Sequence, residues 1–138
     1  MLQLKLNAPS DQVFIGLTLE NPLTGNRCTI DAKVDTGAAV TFISRKLVEG
    51  LELETLGHTT LILADGRPLQ AEVQMCRISF SDEDEFETPI YVNESDTDIV
   101  LLGMDVLKLC NFSQTHIWEG SEHYVLFQIE LLGEDAML

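Results

Sequence analysis

Three clusters of turn-forming residues, Asn21-Pro22-Leu23-Thr24-Gly25-Asn26, Ala64-Asp65-Gly66-Arg67-Pro68 and Glu119-Gly120-Ser121-Glu122, each stand between two β-rich runs, and this spacing commits the chain to hairpins. The first joins residues 13–20 to 28–34, the second 61–63 to 69–78, and the third 112–118 to 124–131. Asp65-Gly66 supplies a turn capable of positive φ, and Pro68 fixes the exit. Residues 1–6 alternate apolar and polar like a strand, residues 38–44 suit a return strand, and residues 86–92 resume one. The short apolar run 98–102, closed by Gly103, suits a buried strand. Helix is confined to two short pieces. One is capped by Ser44 and runs through Glu49 before Gly50 ends it, and the other spans 104–109.

Charge and cysteine content narrow the possible partners. The formal net charge of −15 repels polyanions and argues against a nucleic-acid partner. Cys28, Cys76 and Cys110 are odd in number and widely spaced, which predicts reduced, buried thiols instead of zinc ligands or structural disulfides. No apolar run approaches the roughly 18 residues needed to span a bilayer, and the N-terminus lacks a signal-like basic and apolar sequence, so the protein is placed in the cytoplasm. The acidic run 81–85 reads as a solvated loop, because adjacent like charges repel and it lacks the ligand and glycine pattern of an EF-hand. His58, His116 and His123 show no recognisable ligand spacing, and Trp118 beside Ile117 is expected to cover core.

Two blocks carry the chemistry. Val34-Asp35-Thr36-Gly37-Ala38, followed by Thr41-Phe42-Ile43-Ser44, sets an acid in a tight turn after an apolar strand. Much later comes Asp98-Ile99-Val100-Leu101-Leu102-Gly103-Met104-Asp105-Val106-Leu107. Together with the Ala64-Asp65-Gly66 hairpin, in this order and spacing, they resemble the retropepsin-like aspartic proteases, in particular their compact cellular and retroelement members.

The resemblance implies an all-β fold: a closed β-barrel or sandwich with a flap hairpin and one or two short helices, a single domain over residues 1–138 with its core about 13–130. Asp35 would be the catalytic residue. The chemistry needs two facing carboxylates, one ionised to take a proton from water and one protonated to polarise the substrate carbonyl, and at short range the pair cannot both ionise. The chain carries the motif once and is too short for two lobes, so the implied enzyme is a homodimer with one Asp35 per subunit on a two-fold axis.

Thr36 would hydrogen-bond across to the partner's backbone, Gly37 would permit the tight turn with its N–H toward the carboxylate, and Ala38 would pack small beside them. Leu101, Leu102 and Gly103 would cross behind the turn in a psi-shaped arrangement. Asp105, at a helix start, is expected to be structural. Ala64, Asp65, Gly66 and Arg67 would form the flap over an extended polypeptide substrate, with fewer glycines than retroviral flaps, and Ala39 stands where many relatives carry a polar residue. No cofactor, metal or membrane is implied. A second reading keeps the dimeric fold without catalysis and uses the groove to hold a peptide or regulatory protein; a third has a partner protein or a change of pH order the flap. The subunit contact is expected along residues 1–7, with Leu2, Leu4 and Leu6 on one face, and along the apolar terminal strand 124–132 as an otherwise bare edge.

Overall fold

The computed structural model describes residues 1–7, 12–63, 65–93 and 98–132. Alternation along Val13–Glu20 (β2) turns Val13, Ile15, Leu17 and Leu19 into the core and the intervening side chains outward. β2 pairs antiparallel with Arg27–Val34 (β3) around the first turn cluster. Buried Asn21 anchors that turn: its Oδ1 accepts from Leu23 N–H at 2.9 Å, and its Nδ2 donates to the carbonyls of Leu51 and Glu52 at 2.9 and 3.0 Å.

The chain continues through Phe42–Ser44 (β4), a single helical turn Arg45–Val48 (α1) and a 3-10 turn Glu49–Leu51. Thr55–Ile62 (β5), Pro68–Ser81 (β6) and Asp84–Asn93 (β7) form an antiparallel meander. Val100–Leu102 (β8) then lies between β3, to which it is parallel, and β4, to which it is antiparallel. The 14-residue β6 is long enough to serve three partners: besides β5 and β7, its Arg77–Ser79 end pairs with Thr18–Glu20 of β2. That pairing closes β2-β3-β8-β4-β7-β6 into a six-stranded barrel, with β5 attached outside the ring. After Met104–Leu107 (α2), Cys110–Glu119 (β9) and Glu122–Leu131 (β10) form the last hairpin, and Leu2–Asn7 (β1) completes a second sheet of order β1-β10-β9. Phe127 and Ile129 on β10 join the core of the barrel, and Val125 on the same strand is also buried. No helix among the described residues is long and apolar enough to cross a membrane.

The all-β fold with a closed barrel and two short helices agrees with expectation, and several local readings need correction. The return strand spans only Phe42–Ser44, because the carbonyls of Ala38 and Ala39 are taken by Met104 and Asp105 instead of a neighbouring strand. Ser44 is the N-cap residue of α1 as expected, but its side chain makes no cap hydrogen bond; its Oγ accepts from Ile99 N–H at 3.1 Å. The left-handed residue ending the helical segment is Glu52, not Gly50, and α2 stops at Leu107. Trp118 is 71% exposed. β10 is no bare edge, since β1 and β9 flank it within the same chain.

The acidic run holds the largest surprise. Asp82 and Glu83 turn outward, but Asp84 is buried with three donors on its carboxylate: Leu131 N–H at 2.8 Å, the Met1 amino group at 3.0 Å, and the Ser81 hydroxyl. Burial alone would push this carboxyl up, yet the donors outweigh it and hold the group below the ordinary aspartate range.

Candidate active site

Asp35 leaves β3 directly after Val34, and the turn that follows is closed by its own atoms. Its backbone carbonyl accepts from Ala38 N–H at 3.2 Å, and its carboxylate Oδ1 accepts from Gly37 N–H at 2.9 Å. An aspartate folded onto the amide two residues ahead is a compact local solution that competes with strand continuation. Glycine suits the next step, since a Cβ on Gly37 would lie 3.2 Å from Asp35 Oδ1.

The turn is braced from behind by β8 and α2. Asp35 N–H donates to Leu102 O at 3.0 Å, Met104 N–H to Ala38 O at 2.8 Å, and Asp105 N–H to Ala39 O at 3.1 Å. The backbones approach so closely at Gly103 that a Cβ there would sit 2.3 Å from Val40 O and 3.0 Å from Ala38 O. Only glycine fits that crossing.

Thr41 locks the two segments together. Its hydroxyl donates to Asp105 Oδ1 at 2.7 Å and accepts from Gly103 N–H at 3.2 Å, while its own N–H donates to Asp105 Oδ2 at 3.0 Å. Asp105 Oδ1 also accepts from Val106 N–H at 2.8 Å. Asp105 is therefore a structural tie, as its helix-start position suggested. The role of fully buried Thr41 was missed. The available signal was a hydroxyl within an otherwise apolar return segment, where a buried O–H demands partners.

Asp35 is half-buried, while Thr36, Gly37 and Ala39 are exposed, so the turn presents its carboxylate side outward. Among the described residues, no other carboxylate shares a hydrogen bond with Asp35. None of them forms a group of three or more His, Cys, Asp or Glu placed to hold a metal.

The β5–β6 hairpin carries Asp65, Gly66 and Arg67 at its tip; Ala64 lies outside the described residues. Leu63 N–H donates to Arg67 O and Gly66 N–H to Leu63 O, both at 2.9 Å, and Gly66 takes φ +86°. Asp65 Oδ1 accepts from Arg67 N–H at 3.0 Å and its carboxylate also pairs with the Arg67 guanidinium. These bonds stay within the hairpin. Ile62 is left 70% exposed beside the tip. At the root, Glu72 of β6 takes Arg45 of α1 at 2.8 Å and Gln74 Nε2 at 3.0 Å, and the Arg45 guanidinium leads the causes holding the Glu72 carboxyl below its usual range.

The structure thus brings Asp35, Gly37 and Ala38 together with Leu102 and Gly103. Among the described residues, the bonds of the hairpin tip run only within the hairpin.

Sequence comparison decides the family. The model described as "gag-polyprotein putative aspartyl protease" matches residues 22–109, from the first hairpin turn through α2. The chain belongs to this family of retropepsin-like aspartic proteases. The matched span includes both the Asp35 turn and its Gly103 brace. No curated protein matches the chain significantly. Three solved structures share the retropepsin fold. EIAV protease complexed with the inhibitor HBY-793 is 16% identical, with 73% of this chain and 89% of that chain covered and a TM-score of 0.58. A retropepsin-like aspartic protease from Rickettsia conorii is 18% identical, with coverage of 93% and 92% and a TM-score of 0.56. The retroviral protease-like domain of Ddi1 from Leishmania major is 15% identical, with coverage of 91% and 98% and a TM-score of 0.54.

Proposed function

We propose that the protein is a homodimeric aspartic endopeptidase in which Asp35 of each subunit meets its counterpart across a two-fold axis. The observation that carries this reading is a half-exposed Asp35 carboxylate, braced from behind by β8 and α2, in a chain that carries the motif once. Two such carboxylates at short range share a proton. The ionised one draws a proton from a water held between them, and the protonated one polarises the scissile carbonyl as the water adds to it. No cofactor and no covalent acyl-enzyme enter. Thr36, exposed in one subunit, reaches the partner's turn, and Gly37 aims the Asp35 carboxylate through its N–H.

The substrate class is extended or unfolded polypeptide. The β5–β6 hairpin acts as the flap, with residues 64–67 offering backbone groups to an extended chain and the exposed Ile62 offering it apolar surface. The three free cysteines suit a reducing compartment such as the cytoplasm.

The deciding experiment incubates wild type and Asp35→Asn with a denatured protein and a peptide library from mildly acidic to neutral pH, with mass spectrometry of the products and sedimentation at low micromolar concentration. Cleavage by wild type alone, with dimer mass preserved in both, is expected. Persistent cleavage by purified Asp35→Asn overturns the assignment.

One observation favours a second reading. Ala39 is exposed beside the turn and supplies no polar side chain for a peptide backbone. A groove of that kind serves a dimer that retains a peptide or regulatory protein without cutting it, and wild-type binding without products would select this role.

A further inference from the structure

The β9–β10 hairpin runs on past the barrel. Its register sets His116 opposite Val125 and Trp118 opposite His123, so all four share one face of the sheet. Val125 is fully buried on that face, whereas Trp118 is 71% exposed. At this outer end His116 Nδ1 and His123 Nε2 stand 2.9 Å apart, and the Trp118 ring stacks on His123 at 3.6 Å between centroids and 12° between planes. Two imidazoles in that contact need one donor and one acceptor; once the shared proton has moved to a far ring nitrogen, both facing nitrogens offer a lone pair to a metal ion seated off the line between them.

We propose that His116 and His123 form a two-point site for a divalent transition-metal ion. Two metal–nitrogen bonds of about 2.05 Å meeting at a right angle set the nitrogens about 2.9 Å apart, whereas a tetrahedral angle needs about 3.3 Å. The observed spacing therefore fits the cis positions of a square or octahedral ion, Cu2+ ahead of Ni2+, and fits Zn2+ less well. Water fills the remaining positions, because no third ligating side chain joins the pair among the described residues. The sequence shows no recognisable ligand spacing for this pair, because a cross-strand diagonal contact has no fixed separation along the chain.

Trp118 is the sole tryptophan, so its emission reports on the site. Titrating wild type with CuCl2 at neutral pH should give saturable one-to-one quenching reversed by EDTA, and a Cu2+ electron paramagnetic resonance spectrum with two nitrogen ligands. NiCl2, which does not oxidise thiols, should quench in the same pattern at higher concentration. His116→Ala and His123→Ala should each weaken binding at least tenfold, and His58→Ala should leave it unchanged. The resonance spectrum reads binding independently of the stacked ring that His123→Ala removes. Absence of saturable quenching, or a midpoint and nitrogen count unchanged in both site variants, overturns the proposal; neither outcome bears on proteolysis.

Discussion

The Asp35 turn and the tip of the β5–β6 hairpin are built on the same local device and differ in everything around it. In each, an aspartate Oδ1 accepts from the backbone N–H two residues ahead: Gly37 at 2.9 Å in one, Arg67 at 3.0 Å in the other. The first turn is then tied to distant chain by Leu102, Met104 and Asp105, while the second is tied to its own strands. Turn chemistry therefore sets the shape of both, and only tertiary bracing sets the rigidity of one. Under the proposed function, a site that must hold a carboxylate in register needs the brace, whereas a flap that admits and releases a polymer needs its absence.

The largest expected effect falls on the brace. Gly103→Ala places a methyl 2.3 Å from Val40 O and against Ala38 O, where both neighbours are backbone and Ala38 O is held by Met104 N–H, so relief requires separating β8 from the turn. A loss of roughly 4 kcal/mol or more is expected, in the range reserved for exceptional single substitutions. Urea unfolding checks it, and a variant within about 1 kcal/mol of wild type would show that the crossing is looser than its geometry.

Next comes the Thr41 tie. Thr41→Val keeps the shape and removes the hydroxyl that serves both Asp105 Oδ1 and the buried Gly103 N–H. Leaving a buried donor without its acceptor costs about 2 kcal/mol. Thr41→Ser restores the oxygen and should recover most of that loss in the same unfolding assay. Failure of serine to rescue would assign the effect to packing instead.

The contrast between the two turns also marks what sequence can reveal. The hairpins were legible because alternation and turn residues are local, and the Asp35 and Gly103 blocks because each contains its own punctuation. Barrel closure was legible only through the family resemblance, since pairing of Thr18–Glu20 with Arg77–Ser79 joins stretches that carry no signal for each other. Asp84 misled for the same reason: its run of acids reads as solvated until Leu131, 47 residues away, supplies an N–H. Thr41 and Asp105 meet across 64 residues. Trp118 reads as core because Ile117 stands beside it, yet β9 is buried only at Cys110 and Trp118 lies at its exposed outer end, which no local signal marks.

The smallest stability effect belongs to the hairpin tip. Gly66 sits at φ +86° with no heavy atom within 4 Å of an added Cβ, so Gly66→Ala brings backbone strain without a clash. A left-handed alanine costs about 1 kcal/mol if the turn is held in place. Among the described residues the tip is held only by Leu63, Asp65 and Arg67, so it can relax into another turn and pass on less than that to global unfolding. The expected result is a Tm shift of only a degree or two together with, under the proposed flap role, a clear fall in kcat/KM on a peptide substrate, because a re-formed tip would present its amides in a different register to a bound chain. An alanine that lowers global stability as much as Thr41→Val would mean that the tip is braced after all, and the distinction between the two turns would collapse.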